Sequence, residues 1–209
     1  MRMEDILDIY GMEPERDTVL ICMDESSKQL LGEKRASIPM KPGVPEKYDT
    51  EYERHGTAAL FMFYSPWDSW RRVDVLEHRT KMDWAFQIKK LVDIDFPEAN
   101  KFLIVCDNLN THSLKSLYST FTKEETDRIA KSIEFHKTPI HGSWLNQAEI
   151  EIGILSRTGL KSRISTINQM RKEVKAWCSR RNKKENQIQW RFTKFDARKK
   201  MTLVYTACG

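Results

Sequence analysis

A chain of 209 residues is long enough to bury a sizeable hydrophobic core, and a single large domain is its simplest division. Hydrophobic residues make up 40% and charged residues 31% of the sequence, as in ordinary globular proteins. No run approaches the roughly eighteen apolar residues of a membrane span, and the N-terminus lacks the layout of a signal peptide, so a cytoplasmic protein without a membrane partner is expected.

The apolar runs of the first half predict three strands. Residues 19–24 (VLICMD) are nearly continuously apolar, which is typical of a central strand covered on both faces. Residues 32–56 contain three prolines and many charges, and they predict a long irregular arm or loose hairpin. Residues 57–64 and 71–77 then predict the second and third strands.

The remainder of the chain alternates helices with strands. Thr80 and Asp83 have the spacing of a capping box and predict the start of a helix. A buried strand is predicted at residues 102–106, ending at Asp107, and a fifth strand at residues 133–137. Further helices are predicted at residues 114–121, after residue 122, from 143–146 to 157, and at 166–181.

This order of elements favours an α/β fold with a mixed sheet. Early strands joined by short links indicate antiparallel pairing, whereas later strands separated by helices imply right-handed parallel crossovers. A mixed five-stranded sheet flanked by helices on both faces is the ribonuclease-H-like architecture, which we take as the fold hypothesis. In that fold the first and fourth strands are neighbours, so Asp24 and Asp107 would meet despite their separation in sequence.

Three carboxylates are the candidate catalytic and metal-binding residues. Asp24 and Asp107 each close an apolar run, and Glu149 lies in the first turn of a predicted helix. Carboxylate oxygens suit hard divalent cations, and two such ions about 3.5–4 Å apart would activate a water or a 3′-hydroxyl. Structural roles compete: the aspartates could satisfy the backbone of turns, and Glu149 could form a capping box with Asn146.

Neighbouring residues leave part of this site open. Glu151 competes with Glu149, and because two helical positions differ by about 200° of rotation, only one of them can face the strand ends. Spacing alone does not choose between them. His112 and His141 could contact a phosphate or an attacking water, but a polar histidine in a turn is the favoured interpretation of each.

The net charge of +5 is unevenly distributed. Residues 160–200 contain fourteen basic and three acidic residues, an excess of +11, whereas residues 1–159 contain 21 basic and 27 acidic residues, an excess of −6. A basic segment of this kind either follows a phosphate backbone or forms a solvated helix face. The four cysteines form no CxxC pair, so a zinc site is not expected.

Several of these segments resemble the catalytic domain of a DDE transposase, in the bacterial insertion-sequence branch of the mariner superfamily. The resemblance covers nearly the whole chain, and its most specific motifs are CMDESSKQLLGE, LIVCDNLNTH and HGSWLNQAE. It implies a ribonuclease-H-like fold and an acidic triad of Asp24, Asp107 and Glu149, which settles the choice against Glu151. It also implies Mg²⁺ or Mn²⁺ as cofactor, with two ions expected.

The resemblance further implies cleavage at transposon ends, followed by attack of the 3′-hydroxyl on target DNA. Double-stranded DNA is the expected partner, and a homodimer the expected assembly on it. Family members normally carry N-terminal helix-turn-helix modules, whereas this chain begins almost at the first catalytic strand. We therefore expect one catalytic domain over residues 1–209, with a proline-rich arm at about 32–56 and a basic helical region at about 160–200. A stand-alone metal-dependent nuclease and an inactive DNA-binding protein are the alternatives.

Overall fold

The computed structural model describes residues 2–35, 38–45, 47 and 49–200. Within them, five strands form one sheet: β1 (Thr18–Glu33), β2 (Tyr52–Ser65), β3 (Trp70–Leu76), β4 (Lys101–Cys106) and β5 (Ile133–Lys137). The α-helices are α1 (Arg2–Tyr10), α2 (Lys81–Lys90), α3 (Leu114–Tyr118), α4 (Lys123–Ser132), α5 (Gln147–Thr158), α6 (Ile167–Lys183) and α7 (Lys194–Lys200). A π-helical turn follows α2, and a 3₁₀ turn precedes α5.

The strands lie in the order β3-β2-β1-β4-β5. β1 and β2 pair antiparallel, as do β2 and β3, whereas β4 runs parallel to both β1 and β5. The predicted mixed five-stranded sheet is therefore confirmed, including the adjacency of its first and fourth strands. The predicted first strand was too short, because β1 continues beyond Asp24 by pairing with β2 alone.

Each face of the sheet supports its own hydrophobic core, because successive side chains of a strand point to opposite faces. Leu20 and Cys22 of β1 belong to the core shared with α1, α5, α6 and α7. Ile21 and Met23 belong to the opposite core, which α2, α3 and α4 cover. The buried stripe of α6 includes Met170, Val174 and Trp177, as its apolar spacing predicts.

The predicted start of α2 is confirmed in detail. The Thr80 side chain accepts the backbone N–H of Asp83, and the Asp83 carboxylate accepts that of Thr80, which completes the capping box of α2.

The predicted arm is a continuation of β1 and β2 with the bridges Ile38–Lys47 and Lys41–Val44 at its tip, while residues 36, 37, 46 and 48 lie outside the described residues. None of the helices in the described part of the chain has the length and apolar character needed to cross a membrane.

Candidate active site

Asp24 and Asp107 lie where the parallel pairing of β1 with β4 ends. Cys22 pairs with Val105, and the two aspartates follow two residues later on each chain segment. Asp24 is paired with Met62, whose side chain belongs to the core beneath α5. The end of the β1–β4 pairing therefore brings Asp24 and Asp107 close enough for the charge of Asp107 to act on Asp24.

Asn146 fixes the start of α5 against β1. Its buried side chain donates from Nδ2 to the carbonyl oxygen of Met23 at 2.8 Å and accepts the N–H of Ala148 at 3.1 Å. Its own backbone N–H bonds to the carbonyl three residues earlier, so the capping box considered for Asn146 and Glu149 does not form. The first turn of α5, which carries Glu149, is thereby tied to the residue that precedes Asp24.

Glu151 has a different role from Glu149. Its carboxylate is fully buried, with Oε2 3.3 Å from Nε of Arg71 and Oε1 accepting a hydrogen bond from Nη2 of Arg181 at 2.6 Å. These contacts join α5 to β3 and α6, so Glu151 is occupied in a buried ion-pair network. His141, which was also considered for the site, is exposed ahead of the 3₁₀ turn.

Asp107 and Glu149 both act electrostatically on Asp24. Burial, together with the negative charges of Glu149 and Asp107, raises the pKa of Asp24 to about 7. A hydrogen bond of 2.7 Å from the backbone N–H of Glu25 opposes this increase without cancelling it. The proximity that produces this coupling is the property a cation site requires.

Asp107 is held by a buried histidine. Nδ1 of His112 lies 2.6 Å from Oδ1 of Asp107, and the same oxygen accepts the backbone N–H of Leu109 at 3.1 Å. Burial alone would raise the pKa of Asp107, but these hydrogen bonds outweigh it and lower the pKa below its usual value. Nε2 of His112 lies 2.9 Å from Oε1 of Glu25. Burial favours a low pKa for His112, yet the two carboxylates raise it.

His112 lies in the turn between β4 and α3, as the favoured interpretation has it, but its contacts extend to Glu25 of β1. Its side chain is completely buried and stacks on Trp84 with ring centroids 5.7 Å apart. Glu25 and Asn146 were missed as parts of this site. A signal for Glu25 was available, since a carboxylate directly after Asp24 faces the opposite side of a covered strand and needs a buried partner.

A lysine supports the loop after β4 from β5. Nζ of Lys137 donates to the carbonyl of Asp107 at 3.1 Å, to Sγ of Cys106 at 3.2 Å and to the carbonyl of His112. Burial raises the pKa of the Cys106 thiol to about 11 and that of Cys22 to about 12. Both cysteines are accordingly neutral core residues rather than nucleophiles.

The donor set fits a hard divalent cation. Among the described residues, no three His, Cys, Asp or Glu side chains are gathered closely enough to form a finished metal site. Like charges repel one another, and this repulsion contributes to the raised pKa of Asp24. A divalent cation would neutralise it, and Asp24, Asp107 and Glu149 offer only the oxygen ligands that Mg²⁺ and Mn²⁺ prefer.

The strand order, with one aspartate within β1 and another directly after β4, defines a ribonuclease-H-like fold. A family model described as DDE superfamily endonuclease matches residues 19–171, a range that includes all three carboxylates. The chain therefore belongs to the DDE superfamily of endonucleases. No curated protein matches it in sequence.

Three similar solved structures are complexes of the Mos1 mariner transposase. A paired-end complex with Mn has a TM-score of 0.59 at 15% identity, covering 88% of this chain and 57% of that one. A strand transfer complex gives 0.58 at 15% identity, covering 88% and 56%. A paired-end complex with the left transposon end gives 0.57 at 14% identity, covering 85% and 54%. At such identities the likeness shows the fold, and this chain spans little more than half of the Mos1 chains.

Proposed function

We propose that this chain is the catalytic domain of a DDE transposase, which cleaves DNA at transposon ends and joins the freed 3′-hydroxyl to target DNA. The observation that carries the proposal is the electrostatic coupling of Asp24 with Asp107 and Glu149 where the parallel pairing of β1 with β4 ends, within a chain of the DDE endonuclease family. Paired-end and strand-transfer complexes of Mos1, which has a similar fold, support the same activity.

In this proposal Asp24, Asp107 and Glu149 hold two divalent cations. The Mos1 complexes with Mn and with Mg support Mg²⁺ or Mn²⁺ as the kind of ion. The chemistry supplied by such ions is activation of a water or 3′-hydroxyl and stabilisation of the leaving oxygen. The protein contributes orientation: Asn146 holds the helix that bears Glu149, and His112 holds Asp107. With a pKa of about 7, Asp24 must lose a proton before it can serve as a ligand.

We propose that DNA lies against the outward face of α6. The proposed DNA-binding surface is smaller than the predicted basic region, because several basic side chains of that region bind other parts of the chain. Arg163 donates to carbonyls of the arm, Arg171 to the carbonyl of Val75, Arg181 to Glu151, and Lys194 to Asp8. Exposed basic side chains remain along α6, namely Lys172, Lys175, Arg180 and Lys183. Contacts of this kind to phosphates position DNA without reading its sequence.

We further infer that two copies act together on DNA, since the similar Mos1 structures are paired-end complexes. Light scattering of the purified protein with end DNA would test this inference. A mass of two chains per assembly supports it, and one chain per DNA duplex contradicts it.

Strand transfer is the decisive assay for the proposed activity. A duplex with a precut 3′ end, taken from the DNA that flanks the coding sequence, is incubated with supercoiled plasmid and Mg²⁺. We expect insertion products with the native protein and with Glu173→Gln, an exposed control on α6, and none with Glu149→Gln. Nicking without joining would favour the stand-alone nuclease. A folded protein without any Mg²⁺-dependent reaction would contradict both functions.

A further inference from the structure

Asp107, His112 and Glu25 form a hydrogen-bonded bridge between the loop that follows β4 and strand β1. Glu25 pairs with Phe61, a residue of the core that lies on the opposite face from Asp24. His112 thus reaches Asp107 on one side and a carboxylate next to Asp24 on the other, at 2.6 and 2.9 Å. This imidazole therefore links Asp107 to the residue that follows Asp24.

The imidazole has little freedom to move. Its side chain is completely buried, Glu25 is 3% exposed, and the Trp84 ring stacks on it. The backbone carbonyl of His112 is itself held by Lys137. Only Oδ1 of Asp107 is used by these contacts, and Oδ2 makes no hydrogen bond to any other described residue.

We propose that His112 is a positioning residue that turns Asp107 so that its second carboxylate oxygen can bind a divalent cation, with Glu25 fixing the imidazole from the other end. The proposal rests on the proposed function, because it requires a cation at Asp24 and Asp107. Partners that orient a ligating carboxylate influence metal affinity strongly, and their loss typically weakens binding by about 10–100-fold. The two ring nitrogens of His112 contact different carboxylates. Orientation of Asp107 can therefore be distinguished by experiment from packing of the imidazole.

Two substitutions separate these roles. The amide nitrogen of asparagine stands at the position of Nδ1 and can still donate to Asp107, whereas the amide nitrogen of glutamine stands at the position of Nε2 and can donate only to Glu25. If orientation of Asp107 is the role of His112, His112→Asn should retain most of the metal affinity and His112→Gln should not. A purely packing role would favour glutamine, the larger side chain, or affect both variants equally.

Mn²⁺ affinity measured from the free-ion signal in electron paramagnetic resonance provides the test. We expect His112→Gln to weaken Mn²⁺ binding by about tenfold or more, and His112→Asn to weaken it much less. His136→Gln is the matched control, since His136 also lies between two carboxylates, 2.9 Å from Asp5 and 3.4 Å from Glu134, but on β5 away from the aspartates. Its Mn²⁺ affinity should equal that of the native protein.

A measurement on the native protein covers the case in which a His112 variant does not fold. With ¹⁵N-labelled histidine, Mg²⁺ should shift the His112 ring resonances and leave those of His136 unchanged. Equal Mn²⁺ affinities of the Asn and Gln variants, or His112 resonances that ignore Mg²⁺, would overturn the positioning role while the cation site stands. If Asp24→Asn/Asp107→Asn binds Mn²⁺ as well as the native protein, the cation site itself is wrong and this inference is refuted with it.

Discussion

Replacing Asp24 by asparagine should stabilise the protein in EDTA, and more strongly at pH 8 than at pH 5. Burial, with the added charges of Glu149 and Asp107, raises the pKa of Asp24 from 3.8 to about 7. The folded protein therefore disfavours the ionised form that the unfolded chain adopts readily. Asparagine has nearly the same shape but no charge, so it removes this unfavourable free energy.

The sign and size of this stabilisation follow from the linkage between proton binding and folding. Well below pH 4, Asp24 is protonated in both states and the folded state carries no penalty. The penalty grows as the unfolded chain ionises, and it is complete once the pH has passed the folded pKa of about 7. At about 1.36 kcal/mol per pKa unit, the full shift corresponds to roughly 4 kcal/mol. Because the site is partly open to water, we expect Asp24→Asn to gain ~2 kcal/mol more at pH 8 than at pH 5.

Urea unfolding of the native protein and Asp24→Asn at the two pH values measures this difference. Glu124→Gln, which removes an exposed carboxylate on α4, is the control and should show no comparable pH dependence. An asparagine variant that is less stable than the native protein at pH 8, or a gain independent of pH, would refute the assignment of Asp24 to a crowded, desolvated carboxylate site.

Three further predictions concern metal, the buried ion pairs and DNA. Mg²⁺ or Mn²⁺ should raise the melting temperature of the native protein and much less that of Asp24→Asn/Asp107→Asn, because a ligand bound only by the folded state stabilises it; equal shifts would place the ions elsewhere. Glu151→Gln should lower the free energy of unfolding, measured by urea denaturation, by about 3–5 kcal/mol, because two guanidinium groups would lose their buried counter-ion. An unchanged free energy of unfolding would contradict this prediction. DNA affinity, measured by competition at several salt concentrations, should fall by roughly 0.9 log units per log unit of salt for each phosphate neutralised. Lys172→Glu/Lys175→Glu should reduce that slope. A hundredfold preference for transposon ends over scrambled duplex would show that this domain reads sequence itself.

The sequence predicts β4 and β5 to within one residue. β4 is an apolar run that is buried along nearly its whole length and ends at a polar turn, whereas β5 is more polar and is followed closely by Pro139. β1 is underestimated because the part beyond Asp24 pairs only with β2 and carries mixed polar and apolar residues. α1 is not predicted, and α7 is predicted only as part of a basic helical region: segments of nine and seven residues are marginal as isolated helices and depend on packing against the rest of the chain.

The residues of the candidate site could be predicted where their local sequence carries a signal. An aspartate that ends a buried strand is visible in sequence, and so is a glutamate in the first turn of a helix. The partners of these residues are not visible: His112 meets Glu25 across 87 positions of the chain, and Asn146 meets Met23 across 123. Such contacts are consequences of the tertiary fold, and the same side chains have ordinary local explanations as a turn histidine and a helix cap.

The two aspartates are arranged to differ in proton affinity. Asp107 receives hydrogen bonds from His112 and Leu109 on its Oδ1 side and has a lowered pKa, whereas Asp24 receives a single backbone bond and has a pKa of about 7. Asp107 is thus ionised throughout the neutral range. In the proposed cation site, the protonated fraction of Asp24 must release its proton before it can act as a ligand, and an approaching cation favours that release. Occupation of this site should therefore strengthen as the pH rises toward 7, even though no histidine or cysteine is needed as a ligand.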